Sequence, residues 1–181
     1  PDALKNSSYL YIEGYLVSST TGFQAALEAQ KIARTSGVPI SLTLSDPAMV
    51  GNFKANYDQL LNNGVDLLFC NHDEARLLTG AESVEGCVAA LKEICKTFVI
   101  TCGKEGSVAF DGQALTTGTG VPAKAVDTTG AGDIFAGAFL HCLCRELGFS
   151  EANELASKFA SKLVSRFGSR LTQEEVDALL K

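Results

Sequence analysis

Short apolar runs and longer amphipathic stretches follow one another along this chain, and their order carries the first structural inference. Tyr9 to Ile12, Ile40 to Leu44, Val65 to Cys70 and Thr97 to Thr101 are brief β-favouring runs, and Val65 to Cys70 is apolar enough for a strand covered on both faces. Helical signals lie between them. A stretch opening at Thr20 or Thr21 and covering Phe23 to Thr35 stops at Gly37. Asp46 followed by Pro47 reads as the N-cap and first residue of a segment that closes at Asn62, Asn63 and Gly64. Asn71 with Glu74 three residues on forms the capping box of a short helix ending at Gly80, and Ser83 opens another that reaches Lys96.

The second half changes rhythm. Ser107 to Phe110 and Gln113 to Thr117 flank an Asp111-Gly112 turn and predict a hairpin. Ala131 to about Leu147 carries Phe135, Phe139, Leu140 and Leu143 at core spacing. Ser150 is expected to cap a helix that runs to Phe167 and stops at Gly168, and Thr172 with Glu175 makes a capping box for the last one. Strands alternating with crossover helices, with a hairpin inserted late, predict an α/β three-layer sandwich built on a mostly parallel sheet, in one domain over residues 1–181. Ligands in such sheets bind beyond the carboxyl ends of the strands. That rule selects three loops: Asn71 to Glu74, Thr101 to Gly106, and Asp127 to Asp133.

Composition narrows the partners. The 181 residues are 46% hydrophobic and 20% charged, with 15 basic against 21 acidic residues and a net charge of −6. No basic cluster offers a nucleic-acid surface, and no apolar stretch nears the ~20 residues of a membrane span. The six cysteines lack zinc-ribbon or CxxC spacing and read as reduced, mostly buried residues of a cytoplasmic protein. Two histidines cannot make a three-histidine zinc site. The signatures of P-loop NTPases, zincins, serine hydrolases and protein kinases are all missing, as is the GxGxxG loop that a dinucleotide-dependent oxidoreductase would need after its first strand.

The most informative stretch is Val126 to Ala138, VDTTGAGDIFAGA. Gly130, Ala131 and Gly132 stand where a loop becomes a helix, so their amides can approach an anion that the positive helix end favours. Asp133 falls in the first turn beside them, where a carboxylate can take the proton of an attacking hydroxyl. The same residues also suit a tight turn followed by an acidic complement to the helix dipole. Asn71 and Glu74 read equally as a plain capping box, Thr101, Gly103 and Gly106 as a turn after a strand, and Asp127 before two threonines as an Asx turn.

Taken together these strings resemble the PfkB family of ribokinase-like carbohydrate and nucleoside kinases. The resemblance implies that Asp133 is the catalytic base and that Gly130, Ala131 and Gly132 form an anion hole. It implies that the TxGxxG loop of Thr101, Gly103 and Gly106 contacts the nucleotide phosphates, and that Asn71 and Glu74, matching the NxxE motif, position magnesium and phosphate. Asp127 and Thr128 would lie near a monovalent cation, K+. Ser157 to Ser169 lines up with the helix and glycine bordering the adenine, making Ser157, Val164 and Gly168 wall residues, although many members carry asparagine where Ser157 stands.

The resemblance covers only the C-terminal portion of such a kinase; the N-terminal strands, the lid and most acceptor-gripping residues have no counterpart here. The expected activity is ATP- and Mg2+-dependent phosphoryl transfer to a hydroxymethyl group. Tyr11 to Ser18, YIEGYLVS, and the tail SKFASKLVSRFGSR point to the adenosine-kinase-like branch. Ribokinase-like or fructokinase-like sugar specificity is the competing acceptor, and a nucleotide-binding module without catalysis is the competing class. A small-molecule nucleoside or sugar is the expected partner, and a homodimer is left open.

Overall fold

The computed structural model describes residues 2–180. They divide into two compact units, the first ending at Ile100 and the second beginning at Thr101. The first unit runs α1 (Asp2–Lys5), β1 (Leu10–Ile12), a 3-10 turn at Gly14–Ser18, α2 (Thr20–Thr35), β2 (Ile40–Thr43), α3 (Pro47–Asn62), β3 (Leu67–Asn71), α4 (His72–Thr79), α5 (Val84–Lys92) and β4 (Thr97–Thr101). The strands lie in the order β1-β2-β3-β4. β1 and β2 run parallel with Leu10 opposite Ile40, and β2 and β3 run parallel with Ser41 opposite Leu67. The α/β class and parallel pairing agree with the alternating pattern of the sequence.

Caps set most helix starts. Ser19 accepts from the Gly22 amide through Oγ at 3.0 Å, one residue ahead of the two threonines that the sequence favours. Asp46 accepts from Ala48 at 2.7 Å and Ser83 from Gly86 at 3.1 Å, as their positions predict. Leu42, Leu44, Leu60, Leu68, Leu91, Phe98 and Ile100 are fully buried, so this unit's sheet and helices share one apolar core.

The second unit holds the hairpin β5 (Ser107–Phe110) and β6 (Leu115–Gly118), then α6 (Ala131–Leu143), α7 (Phe149–Val164) and α8 (Gln173–Leu179). The hairpin is antiparallel, with Ser107 opposite Gly118. The Asp111 carboxylate accepts from the amides of Gln113 and Ala114 at 2.8 and 2.7 Å, and this Asx turn delays β6 to Leu115. Phe139 stacks on Phe135 at 6.1 Å and meets Phe149 edge-on at 5.1 Å, locking α6 to α7.

Several boundaries depart from expectation. The cap of α7 is Gly148 and not Ser150, because the Glu151 carboxylate accepts from the Gly148 amide at 3.1 Å and so fixes the cap three residues upstream of itself. Helix α6 stops at Leu143, where Glu146 takes a φ of +62° and the Leu147 amide turns back to Cys142 at 3.1 Å. Helix α5 ends at Lys92, not Lys96. Cys70, Cys87, Cys95 and Cys142 are buried, Cys102 is partly so, and Cys144 is exposed. No helix among the described residues is long and apolar enough to cross a membrane.

Candidate functional site

In the second unit, the turn that opens α6 and the chain leaving α7 are bound to each other. The amides of Val126 and Asp127 both donate to the Val164 carbonyl, at 2.7 and 3.3 Å. Asp127 then accepts from the amides of Thr129 at 2.9 Å and Gly168 at 3.1 Å, one through each carboxylate oxygen. These bonds hold its carboxyl below the ordinary range. Asp127 is therefore both the Asx turn that its sequence allows and a clasp between two loops. The sequence gives no sign of the second role, since Gly168 lies 41 residues away.

Gly130 caps α6 with φ +79°, a conformation that suits glycine, and a Cβ there would stand 3.0 Å from Ser169 Cβ and 3.1 Å from its carbonyl oxygen. The Ala131 amide is engaged with the Thr128 carbonyl at 3.1 Å. Among the described residues the amides of Gly130, Gly132 and Asp133 have no acceptor, so the donors left for an anion are those three. Asp133 is exposed in the first turn, and its carboxylate has no internal partner. An unpaired carboxylate beside unpaired amides at a helix start can hold a polyanion and accept a proton from a group brought against it.

Thus Asp127, Gly130, Val164 and Gly168 come together, with Thr128, Gly132 and Asp133 on the same turn. Ser157 differs from its expected role. It is buried in α7, 8% exposed, and its hydroxyl donates to the Asn153 carbonyl at 2.8 Å, so it faces the core of the unit. Thr101, Gly103 and Gly106 form a loop that closes on itself, with Cys102 N donating to Gly106 O at 2.7 Å and Gly106 N to Gly103 O at 3.1 Å.

Asn71 and Glu74 lie in the first unit at the start of α4. The Asn71 amide and side-chain Nδ2 donate to the two Glu74 oxygens at 2.9 and 2.8 Å, and Glu74 N donates to Asn71 Oδ1 at 2.8 Å. The capping box is present, yet Glu74 is only 4% exposed. Burial, abetted by Asp46, Asp73 and Glu13, pushes its carboxyl up to about 7 against the pull of the Asn71 amide. The sequence does not single out Glu13, Ser45 or Tyr57, which gather nearby. Ser45 has a φ of +69°, accepts from Gly14 N at 2.8 Å and donates to Glu13. The Tyr57 hydroxyl donates to Leu44 O at 2.7 Å, and burial with the surrounding acids raises its pKa. A residue with positive φ ahead of an Asp-Pro helix start is invisible in a pattern that reads only the cap.

No group of three or more metal-binding side chains occurs among the described residues. One carboxylate whose oxygens each accept a single bond from Asn71 suits a magnesium ion carried mainly by phosphate and water, not an all-protein cage. A groove of about 540 Å3 on the first unit, lined by Gln24, Glu28, Gln30, Lys31 and Arg34 among others, contains none of the residues above.

Residues 1–176 match the family described as pfkB family carbohydrate kinase. Ribokinase from Mus musculus is 37% identical over 123 residues, 63% of this chain and 36% of that protein. The structure of adenosine kinase from Sinorhizobium meliloti superposes with a TM-score of 0.92 and 31% identity, over 98% of this chain and 55% of that one. A ribokinase II from Escherichia coli, solved with ATP and Mg2+, gives 0.87 at 22% identity, over 99% of this chain and 60% of that one, and shows the fold alone. The chain thus spans between about a third and three fifths of the length of these relatives.

Proposed function

The chain belongs to the PfkB family of carbohydrate kinases, and from that premise we propose that it is the nucleotide-binding and base-bearing part of an enzyme that moves the γ-phosphoryl group of ATP to a hydroxymethyl group. The observation that carries this reading is the start of α6, where the unpaired Asp133 carboxylate adjoins the free amides of Gly130 and Gly132. Asp133 takes the proton of the acceptor hydroxyl. The alkoxide oxygen forms a bond to the γ-phosphorus as the bond to the ADP oxygen breaks, and the amides stabilise charge on the transferring group. Magnesium, when bound through the phosphates, neutralises their charge, and Glu74 with Asn71 is the pair of this chain suited to hold its water shell. The Thr101 to Gly106 loop contacts the phosphates. Val164 and Gly168 flank the adenine, whereas the buried Ser157 supports the helix from within. The Asp127 carboxylate and the Thr128 carbonyl accept from the chain's own amides, and no step is assigned to K+.

An adenosine-like nucleoside is the proposed acceptor, supported by the 31% identity to the Sinorhizobium adenosine kinase over 98% of the chain and by the YIEGYLVS segment. Ribose and fructose are the acceptors to compare. The deciding experiment is Asp133→Asn in the full-length protein, with coupled assays over adenosine, ribose and fructose and calorimetry with MgATP. The expected result is a loss of turnover of about a thousandfold or more with ATP affinity kept. Wild-type turnover by the variant removes Asp133 as base. Nucleotide binding by the wild type without turnover on any acceptor favours a binding module.

A further inference from the structure

Helix α7 carries an asparagine where its buried face is otherwise made of alanine, phenylalanine, leucine and one serine. Asn153 is 1% exposed, and its Oδ1 accepts from the hydroxyl of Ser107, itself 3% exposed, at 2.5 Å. Its Nδ2 has no partner. An amide buried with one donor unsatisfied weakens a core relative to an apolar side chain of the same size, so general stability does not account for it. What Asn153 does hold is specific. Ser107 is the first residue of β5 and directly follows Gly106, the last glycine of the loop assigned to the phosphates.

The surroundings are shaped to admit this contact. Ser107 sits opposite Gly118 in the hairpin, and a Cβ on Gly118 would stand 2.7 Å from Ser107 Oγ and 2.9 Å from Asn153 Nδ2. Gly106 has a φ of +96°, and a Cβ there would collide with the Gly118 carbonyl and stand 2.7 Å from Gly120 N. The loop therefore leans on the backbone of residues 118–120 through glycine on both sides, held by its own backbone bonds and by the hairpin pairing at Ser107, with no side chain of its glycines to anchor it further. The Ser107–Asn153 bond is the side-chain link that fixes the loop's trailing end to a helix.

We propose that Asn153 is a positioning residue for nucleotide binding, acting through Ser107 to hold Gly103 to Gly106 in place; this rests on the assignment of that loop to the phosphates. The tests use Asn153→Leu, Ser107→Ala, the double variant and Asn153→Asp, which keeps the accepting oxygen, in the full-length protein. In Asn153→Leu and Ser107→Ala the KM for ATP rises about fivefold with kcat within about twofold, the double variant is no worse than the worse single one, and Asn153→Asp, less stable because it buries a carboxyl, keeps its KM for ATP closer to wild type than Asn153→Leu does. Hydrogen exchange at Gly103 to Gly106 quickens in the first two while α6 keeps its protection. Should Asn153→Leu fail to fold, Ser107→Ala carries the test. Unchanged loop exchange and unchanged KM in Ser107→Ala, or additive effects in the double variant, overturn the proposal. A wild type that binds no ATP overturns the loop assignment and with it this role, whereas one that binds ATP and is indifferent to Ser107→Ala overturns only the role of Asn153.

Discussion

Replacing Glu74 by glutamine separates the burial of a charge from the burial of a polar group. The carboxyl is 4% exposed, and burial with three neighbouring acids lifts its pKa from 4.5 to about 7. Between those two values the unfolded chain has released a proton that the folded chain still holds. The fold therefore loses stability as pH rises through this window, by roughly 3 kcal/mol once both states are ionised, while below 4.5 both are protonated and the penalty is absent. Glutamine cannot ionise. Its amide must face one of the two Asn71 donors, and the lost bond costs about 1–3 kcal/mol at every pH. Wild type is thus the more stable at pH 5, and its lead falls by about 2–3 kcal/mol on going to pH 8. Urea unfolding in magnesium-free buffer reads this through tyrosine fluorescence. The chain has no tryptophan, and its tyrosines are Tyr9, Tyr11, Tyr15 and Tyr57, so the signal reports the unit that holds Glu74. A separation between the two proteins that stays constant within about 0.5 kcal/mol from pH 5 to 8 refutes the raised pKa.

Three further substitutions probe the loops. Gly130→Ala places a side chain at φ +79° and against Ser169, so ATP affinity measured by calorimetry falls about three- to tenfold and the fold loses about 1–2 kcal/mol. Ser45→Ala strips the acceptor from the Gly14 amide and costs about 1–3 kcal/mol, whereas Ser45→Gly, which relieves the positive φ, costs about 1 kcal/mol less; melting temperatures in that order check it. Asp127→Asn keeps an acceptor for Thr129 and loses the one for Gly168, so exchange of the Gly168 amide quickens. Because the native carboxyl titrates below its usual 3.8, the clasp acts above that pH and fails as pH falls, and the wild-type protection of Gly168 approaches that of the variant in acid.

How far each feature can be read from sequence follows the distance over which it acts. Strand and helix order is legible because periodicity and caps work within a few residues: Asp46, Asn71, Ser83 and Thr172 cap the helices that the pattern assigns them. The pattern errs where a reach-back decides, as at Gly148, whose partner Glu151 outranks the better capping residue Ser150. Burial is less legible still. Glu74 looks like a solvated first-turn acid, and only the packing around it makes it a buried carboxyl with a shifted pKa. The contacts that give the loops their shape are silent in the local pattern, because Glu13 meets Ser45 across 32 residues, Gly168 meets Asp127 across 41 and Ser107 meets Asn153 across 46.

That division bears directly on the proposed chemistry. The string from Asp127 to Asp133 names the residues of the proposed anion site, but which of their atoms remain available is a property of the fold. Ala131 sits in the middle of the GAG triplet and yet gives its amide to Thr128, so the donors pass to Gly130, Gly132 and Asp133 itself. If Asp133 supplies both the base and one of the amides, Asp133→Asn removes the first and keeps the second. Turnover should then collapse while the affinity for ATP persists, and a parallel loss of both would place the carboxylate in nucleotide binding instead of proton transfer.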